Sequence, residues 1–452
     1  MFLFLKYTRP SWYYRLYNKS DVQLYSEETI KYVKDNSLIN IFSYKDEISV
    51  YYDIVYQLIN NAYIDNSSNK KTIDTYNKNV TSVKDNYIFI RRFFSTKWLI
   101  YILIIRILSL KNIYLEFKYF LKCLSINKVE KNYYFDDIEL KKLDKRSSRS
   151  YFNDFITIII PTLNRYAYLS DALVDLENQT YKNFEVIICD QSDNFDPSFY
   201  RRWKIDIKCI YQSKKALWAA RNKCIELSKG RYIILFDDDS RVNNDWIQSH
   251  IDCITKYKNS ISAGITRTVK GNQLAIIDSR YHYSDVFDTG NSMLDKNVFK
   301  KIGLFDERFE KQRMGDGEFG LRAYLNGYSI ISNPLACRDH LKVKSGGLRE
   351  FGSWDAFSSM NILSPKPIPS AIYFITKYFD KNSTIFFIIN SLIYNKNHKI
   401  KSKYINKIIS ILIDIIFFPI TLLRIIASFH IAEKMLNQGS IIRKYNEYNH
   451  IN

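Results

Sequence analysis

The chain has 452 residues, 46% of them hydrophobic and 25% charged, values ordinary for a globular protein, which exclude wholesale disorder and a polytopic membrane protein. That length allows two or three domains, each able to bury a core. Lysine and arginine (66) outnumber aspartate and glutamate (47), for a net charge of +19; this points either to a polyanionic partner or, because Ile, Lys, Asn and Tyr are abundant together, to nucleotide bias in the gene.

At the N-terminus the apolar stretch Phe2 to Leu5 is too short for the core of a signal peptide. The six cysteines, Cys123, Cys189, Cys209, Cys224, Cys253 and Cys337, form no CxxC pair and no zinc spacing. Buried free thiols in a reducing, cytoplasmic compartment are expected. Residues 1–150 hold no glycine and one proline, Pro10, and read as a mostly helical region ending in the polar run Lys145 to Ser150. Within it Trp98 to Leu110 is apolar apart from Arg106 and Ser109. It is too short to span a bilayer, which takes about 20 residues, and reads as a buried or interfacial helix.

From Phe155 strands and helices alternate. Phe155 to Ile160 is a β-branched run suited to a strand covered on both faces. Pro161-Thr-Leu-Asn-Arg165 breaks it, and Leu169, Leu173 and Leu176 then mark a helix. Further strands are expected at Phe184 to Cys189, Ile207 to Tyr211 and Arg231 to Phe236, with a helix over Trp218 to Leu227 and turns at Asp190-Gln-Ser-Asp-Asn194 and Lys229-Gly230. This rhythm predicts an α/β fold, a Rossmann-like, mostly parallel sheet with helices on both faces, carrying helical extensions at both ends. Ligands of such sheets bind beyond the carboxyl ends of the strands. The 161–165 turn, the Asp190 turn and Asp237-Asp-Asp239 all fall there. Twelve of the thirteen glycines lie between Gly230 and Gly352, so loops that approach a ligand closely belong to this region.

The last segment, 351–452, is read as helical. Its stretch Ile408 to Phe429 carries only Asp414 and Arg424 as charges, and Ser410, Asp414, Thr421, Arg424 and Ser428 fall on one narrow line of a helix. With Lys399, Lys401, Lys403 and Lys407 before it, in-plane or re-entrant attachment to an anionic membrane surface is expected, a buried core helix and a true span being the alternatives.

Asp237 and Asp239, two apart on an extended segment, would point the same way and could share one hard cation; a run of aspartates is otherwise a solvated turn. Around it a series of landmarks occurs in order: Pro161 to Arg165, Gln179 to Asp190, Ala219-Ala-Arg-Asn222, Gly230 to Asp239, Gly290 to Leu294, Ile302 to Phe309, Gly315 to Arg322, His340, and Ser345-Gly-Gly-Leu-Arg349. In this ordered set the sequence resembles the family 2 glycosyltransferases of the GT-A fold. The resemblance implies transfer of one sugar from a nucleoside-diphosphate sugar, with inversion, to a hydroxyl acceptor such as a lipid-linked saccharide of surface polysaccharide synthesis. It implies that Pro161, Thr162 and Arg165 line the nucleotide pocket, with Arg221 nearby, and that Asp190 accepts a hydrogen bond from the base. Asp237 would face the ribose and metal-bound water, Asp239 would ligate Mg²⁺ or Mn²⁺, and His340 would be a further metal or diphosphate contact or a structural histidine. Asp316 would be the general base, and Gly346, Gly347 and Arg349 a loop closing over the phosphates.

Where the family has Glu-Asp this chain has Gly315-Asp316, so Glu318 competes for the base role, although Glu318 and Arg322 at i, i+4 also read as an ordinary surface pair. No Gln-x-x-Arg-Trp follows Asp316, which implies a single transfer rather than polymerisation. The competing classes are a nucleotidyltransferase, a non-catalytic membrane-associated binder and a two-carboxylate glycoside hydrolase. No nucleic-acid motif is present. The expected organisation is 1–150 helical, 151–350 catalytic and 351–452 helical, with the protein cytoplasmic and peripheral on the inner face of the plasma membrane.

Overall fold

A computed structural model describes residues 2–8, 25–65, 81–129, 152–268, 276–343, 363–379, 381–394 and 416–445. The expected 345–349 loop with Arg349, the lysines 399–407, and the first part of the 408–429 stretch lie outside the described residues.

Five helices come first: α1 (Glu27–Asp35), α2 (Glu47–Asn60), α3 (Val83–Phe93), α4 (Thr96–Leu108) and α5 (Ile113–Cys123). The sheet region follows as β1 (Ile156–Thr162), α6 (Tyr166–Glu177), β2 (Phe184–Asp190), β3 (Ile207–Tyr211), α7 (Leu217–Leu227), β4 (Tyr232–Phe236), β5 (Ser240–Val242), α8 (Trp246–Lys256), β6 (Ser260–Thr268), β7 (His282–Tyr283), β8 (Asn291–Asp295), α9 (Asn297–Ile302), α10 (Gly315–Leu325) and β9 (Ser329–His340). Helices α11 (Pro369–Tyr378), α12 (Lys381–Tyr394) and α13 (Phe418–Gln438) complete the described chain.

The sheet order is β3-β2-β1-β4-β8-β6-β9-β5, with β7 added on β9. Strands β3, β2, β1 and β4 run parallel, as the β-branched runs and crossover helices require. Strand β8 joins β4 antiparallel, while β6 and β9 form a second long parallel ladder with a register shift between Gly264 and Thr266. The helices cover both faces, and residue alternation assigns them. Ile156, Ile158 and Ile160 of β1 pack with α6 and α8, whereas Ile159, with Ile187 and Leu235, packs toward α7.

Two expectations about β1 and the aspartates need correction. Strand β1 runs through Pro161 to Thr162, so the proline does not break it. The β1–β4 ladder stops at Ile159 opposite Leu235, and Pro161, which has no N–H to donate, lies on the overhang beside Cys189 of β2. Asp237 to Asp239 is not an extended segment but the turn between β4 and β5. The chain reverses there because β5 leaves to pair antiparallel with β9 at the far edge of the sheet.

The N-terminal helices share one apolar cluster with the α7 face of the sheet and with α11 to α13. Tyr25 meets Tyr283 of β7 edge-on at 5.8 Å, Tyr7 meets Phe386 of α12 at 4.7 Å, and the Tyr101 hydroxyl donates to Asn390. The run expected at 98–110 is α4. Leu99, Ile102 and Leu103 are buried, while Ile100, Ile104 and Leu108 are exposed.

On the other face α8 carries a fully buried histidine. Asn291 donates its amide N–H groups to the carbonyls of Ile265 and Ala336, which turns its oxygen toward Trp246 Nε1 (2.8 Å) and His250 Nε2 (3.1 Å). His250 is therefore the neutral tautomer protonated on Nε2, with Nδ1 facing the Ser262 hydroxyl at 2.8 Å. Burial pushes its pKa down to about 4. An unfolded histidine titrates at about 6.5, so this residue's contribution to stability is complete above that pH and is lost as pH falls toward 4. The expected loss is up to about 3 kcal/mol. Thermal melts should show that a His250→Gln variant, weaker at neutral pH, loses less on acidification; equal slopes for both proteins would refute the assignment.

Candidate active site

Helix α7, the β4–β5 turn and the end of β9 bring the charged groups together at the carboxyl ends of β1 and β4. The register that sets Ser240 opposite His340 places the imidazole beside Asp239, with Nε2 3.2 Å from Oδ1. Ligand atoms of Asp237, Asp239 and His340 all lie within 4.8 Å of one another. Two carboxylates and an imidazole are a donor set that fits Mg²⁺ or Mn²⁺, and the separation allows one ion to reach all three.

Guanidinium groups balance these carboxylates. Asp237 accepts from Arg221 at 2.8 Å on one oxygen and from Arg338 at 2.9 Å on the other, leaving each oxygen a further lone pair. Burial raises its pKa, but Arg338 and Arg221 outweigh this and hold it well below the usual carboxylate range. Arg338 also forks onto Asp288 at 3.0 and 3.1 Å and donates to Ser240 and Thr266. Burial likewise raises Asp239, and the His340 hydrogen bond with its charge brings it below its ordinary value.

The middle aspartate turns the other way. Asp238 is buried and accepts from the Thr162 hydroxyl at 2.8 Å and from Arg165 at 3.0 Å. Burial pushes its pKa up to about 6, against the pull of Arg165. Arg165 also lies 3.4 Å from Asp239. Thr162 and Arg165 thus hold the aspartate turn against the end of β1. Pro161 is buried in β1.

Asp190 ends β2 and is fully buried. Its carboxylate accepts from the hydroxyls of Tyr166 (2.6 Å) and Tyr200 (2.7 Å) and from the Ser192 amide (2.8 Å), bonds that shape the loop after β2. Next to it, Gln191 accepts from the Ala216 amide at 2.6 Å ahead of α7.

Asp316 stands in the first turn of α10, accepting from the Gly317 amide at 2.8 Å. Its side chain is exposed, yet the protein around it partly desolvates the carboxyl. That desolvation raises its pKa, with the Asp288 charge adding to it and the Arg221 charge opposing it. Arg221 also binds Asp237, and Asp288 is linked to Asp237 through Arg338. Met314, just before α10, holds φ at 77°, a left-handed value unusual outside glycine, and Gly315 lies so close to the Trp218 ring that a Cβ would come within 2.4 Å of it.

Glu318, the competing base, is fully buried and is not a surface residue. Arg322 binds it at 3.0 Å, the Tyr378 hydroxyl donates to it, and Lys377 lies 3.4 Å away. Arg322 in turn donates to the carbonyls of Ile302 and Leu304. The pair ties α10 to the 302–304 turn and to α11. It is buried because α11 covers this face of α10, which local helix spacing does not reveal.

The Ala219-Ala-Arg-Asn222 motif divides. Asn222 exchanges hydrogen bonds with the backbone of Phe305 and anchors the loop, while Arg221 reaches Asp237. Sequence reasoning passed over Arg338 and Asp288. The signal for Arg338 was its position two before His340 on one strand, which sets both on one face; Asp288 carried none. Gly290 has a steric reason as well: a Cβ there would lie 2.1 Å from both Arg338 and Asp237.

Comparison with known proteins bears on this geometry. Residues 157–310 match the family model "Glycosyl transferase family 2". "Glycosyltransferase GlyA" of Streptococcus pneumoniae is 27% identical over 167 residues, 36% of this chain and 23% of that protein. The hyaluronan synthase of Pasteurella multocida is 29% identical over 225 residues, 38% of this chain and 23% of that one. The Methanococcus voltae "Dolichyl N-acetyl-alpha-D-glucosaminyl phosphate 3-beta-D-2,3-diacetamido-2,3-dideoxy-beta-D-glucuronosyltransferase" is 24% identical over 210 residues, 40% of this chain and 65% of that one. The matched stretch spans under a quarter of the length of the first two relatives. The family match and these relatives support the reading of residues 157–310 as a family 2 glycosyltransferase region.

Proposed function

We propose that this protein transfers one sugar, with inversion, from a nucleoside-diphosphate sugar to a hydroxyl acceptor, with Asp316 as base. The observation that carries the proposal is that Arg221, which binds Asp237, lies over the Trp218 ring at 5.3 Å, and that the same ring packs against Gly315 beside Asp316, which supports the aspartate turn and the proposed base acting on one bound donor. Asp239 and His340, with Asp237 beside them, would hold Mg²⁺ or Mn²⁺, which supplies positive charge for the departing nucleoside diphosphate.

The chain's own groups do the rest. Arg221 and Arg338 keep Asp237 ionised and fixed, facing the donor's ribose. Thr162 and Arg165 hold the aspartate turn through Asp238, and Asp190 fixes the loop on which the base of the nucleotide would rest. The Asp316 carboxylate takes the proton from the acceptor hydroxyl as that oxygen attacks the anomeric carbon and the bond to the diphosphate breaks. Its raised pKa brings it closer to the value at which a carboxylate both stays ionised and accepts a proton well.

An acceptor anchored in a membrane suits the C-terminal helix. In α13 the polar line faces the protein: Arg424 and Ser428 are buried, donating to the carbonyls of Ser364 and Pro367. Leu422, Leu423, Ile426 and Phe429 are exposed. No described helix is long and apolar enough to cross a membrane, so this outward apolar face supports attachment in the plane of an anionic surface, at the inner face of the plasma membrane. The named acceptor class of the Methanococcus relative agrees with a lipid-linked saccharide.

Thermal stabilisation across a panel of nucleotide sugars, with and without Mn²⁺, tests the donor reading. One donor should raise the melting temperature only when the ion is present. No response across the panel, or one indifferent to the ion, refutes it.

A further inference from the structure

The N-terminal helices carry an apolar surface that sugar transfer does not use. Helix α4 exposes Ile100, Ile104 and Leu108, spaced i, i+4, i+8 along one stripe. Helix α5 packs beside α4 and exposes Tyr114, Phe117, Leu121 and Leu124 along another. The turn joining them is the most exposed part: Leu108 is 73% accessible, Leu110 92% and Tyr114 70%. Scattered exposed apolar side chains need no explanation, but a contiguous set at the tip of a hairpin marks a contact surface.

Charge identifies what it contacts. Lys97, Lys111, Lys122 and Lys128 are exposed around the hairpin. Between residues 96 and 129 there is one acidic residue, Glu116. It is buried beneath the hairpin, bound to Arg106 and to the Tyr87 hydroxyl. The exposed surface is therefore largely apolar, with Lys111 in its tip and Lys97, Lys122 and Lys128 toward its base, and residues 96–129 add no exposed carboxylate. A second copy of this chain would bring lysines against lysines. A bilayer with anionic head groups accepts the tip among its acyl chains and the lysines among its phosphates.

We infer that the α4–α5 hairpin is a second membrane-docking element, which dips its Leu108–Tyr114 tip into an anionic lipid surface. It complements the proposed C-terminal attachment, because one weak anchor gives only reversible binding and two give stable residence. The two surfaces are joined through the protein. Tyr101 of α4 bonds to Asn390 of α12, α12 packs on α11, and α11 packs on α13. Neither the donor site nor the transfer step enters this inference.

The test is cosedimentation of the full chain with vesicles of phosphatidylcholine alone or mixed with phosphatidylglycerol. The wild-type chain should bind the mixed vesicles, more weakly as salt rises. The Leu110→Glu/Tyr114→Glu double variant should bind roughly tenfold less or worse, with its circular dichroism and melting temperature unchanged because both side chains lie in solvent. Leu423→Glu/Ile426→Glu on α13 should give a separate loss, and combining the two pairs a larger one. Equal binding by wild type and the hairpin variant overturns the inference. So does a wild-type chain that self-associates without vesicles and loses only that property in the variant. Donor binding by calorimetry should be the same in all these proteins, so failure of the hairpin and failure of the glycosyltransferase reading are told apart.

Discussion

Asp239→Asn should abolish metal-dependent binding of a nucleoside diphosphate while leaving the chain folded. The substitution keeps the volume of the side chain and an oxygen that can face His340, which lies 3.2 Å away. What it removes is the negative charge. The described site is already rich in cations: Arg165, Arg221 and Arg338 stand among Asp237, Asp238, Asp239 and Asp288. Asp237 divides its two oxygens between Arg221 and Arg338 at 2.8 and 2.9 Å, whereas Asp239 meets His340, Arg165 and the Val343 amide at the longer distances of 3.2–3.4 Å, contacts that an ion can replace more readily. Without it, three guanidinium groups face three carboxylates instead of four, and the site loses the excess negative charge that would attract a divalent cation. The expected loss is about 3–4 kcal/mol in the step that needs the ion, a factor of roughly 10²–10³. Calorimetry with a nucleoside diphosphate, with and without Mn²⁺, checks it. An affinity unchanged from wild type and indifferent to the ion would end the assignment of Asp239 as a ligand.

The parallel half of the sheet was legible because its physics is local. A run such as Ile156 to Ile160 is buried on both faces, so it needs no polar alternation, and Ile207 to Tyr211 matched β3 at both ends. The other half was not. Strand β6, Ser260–Thr268, mixes serine, glycine and threonine, and β9 contains Asn333 and Pro334; each is held by partners far away in the chain. His340 was legible from the ordered motifs, yet its place beside Asp239 depends on β5, a three-residue strand with no sequence signature. Helix α13 shows another limit. Periodicity gave the polar line through Arg424 and Ser428 but could not say which way it faces, and the line faces inward. For Glu318 and Arg322 the spacing was right and the burial wrong, because α11 and Tyr378 arrive from a different part of the chain.

Asp316→Asn is expected to keep donor binding and lose transfer. Among the described residues Asp316 forms no ion pair; its hydrogen bond is to the adjacent Gly317 amide, and asparagine can keep it. The groups that bind the donor in the proposal are on the β4–β5 turn, α7, the end of β9 and the loop after β2, not on α10. Removing a general base costs about 10²–10⁴ in rate, so kcat should fall by that factor with the donor's affinity nearly constant. The pH profile adds a readout that a structural role would not move. Desolvation by the surrounding protein raises the Asp316 carboxyl, so the wild-type rate should fall as pH drops through that raised value and the base becomes protonated, whereas the residual rate of Asp316→Asn should lack this acid limb. Glu318→Gln is the control with the opposite signature. It removes the charge that Arg322, Lys377 and the Tyr378 hydroxyl share in a buried setting and puts an NH2 group where one oxygen accepted, so buried cations lose their counter-charge and the melting temperature should drop. If instead Glu318→Gln is stable and inactive while Asp316→Asn turns over normally, the base is Glu318.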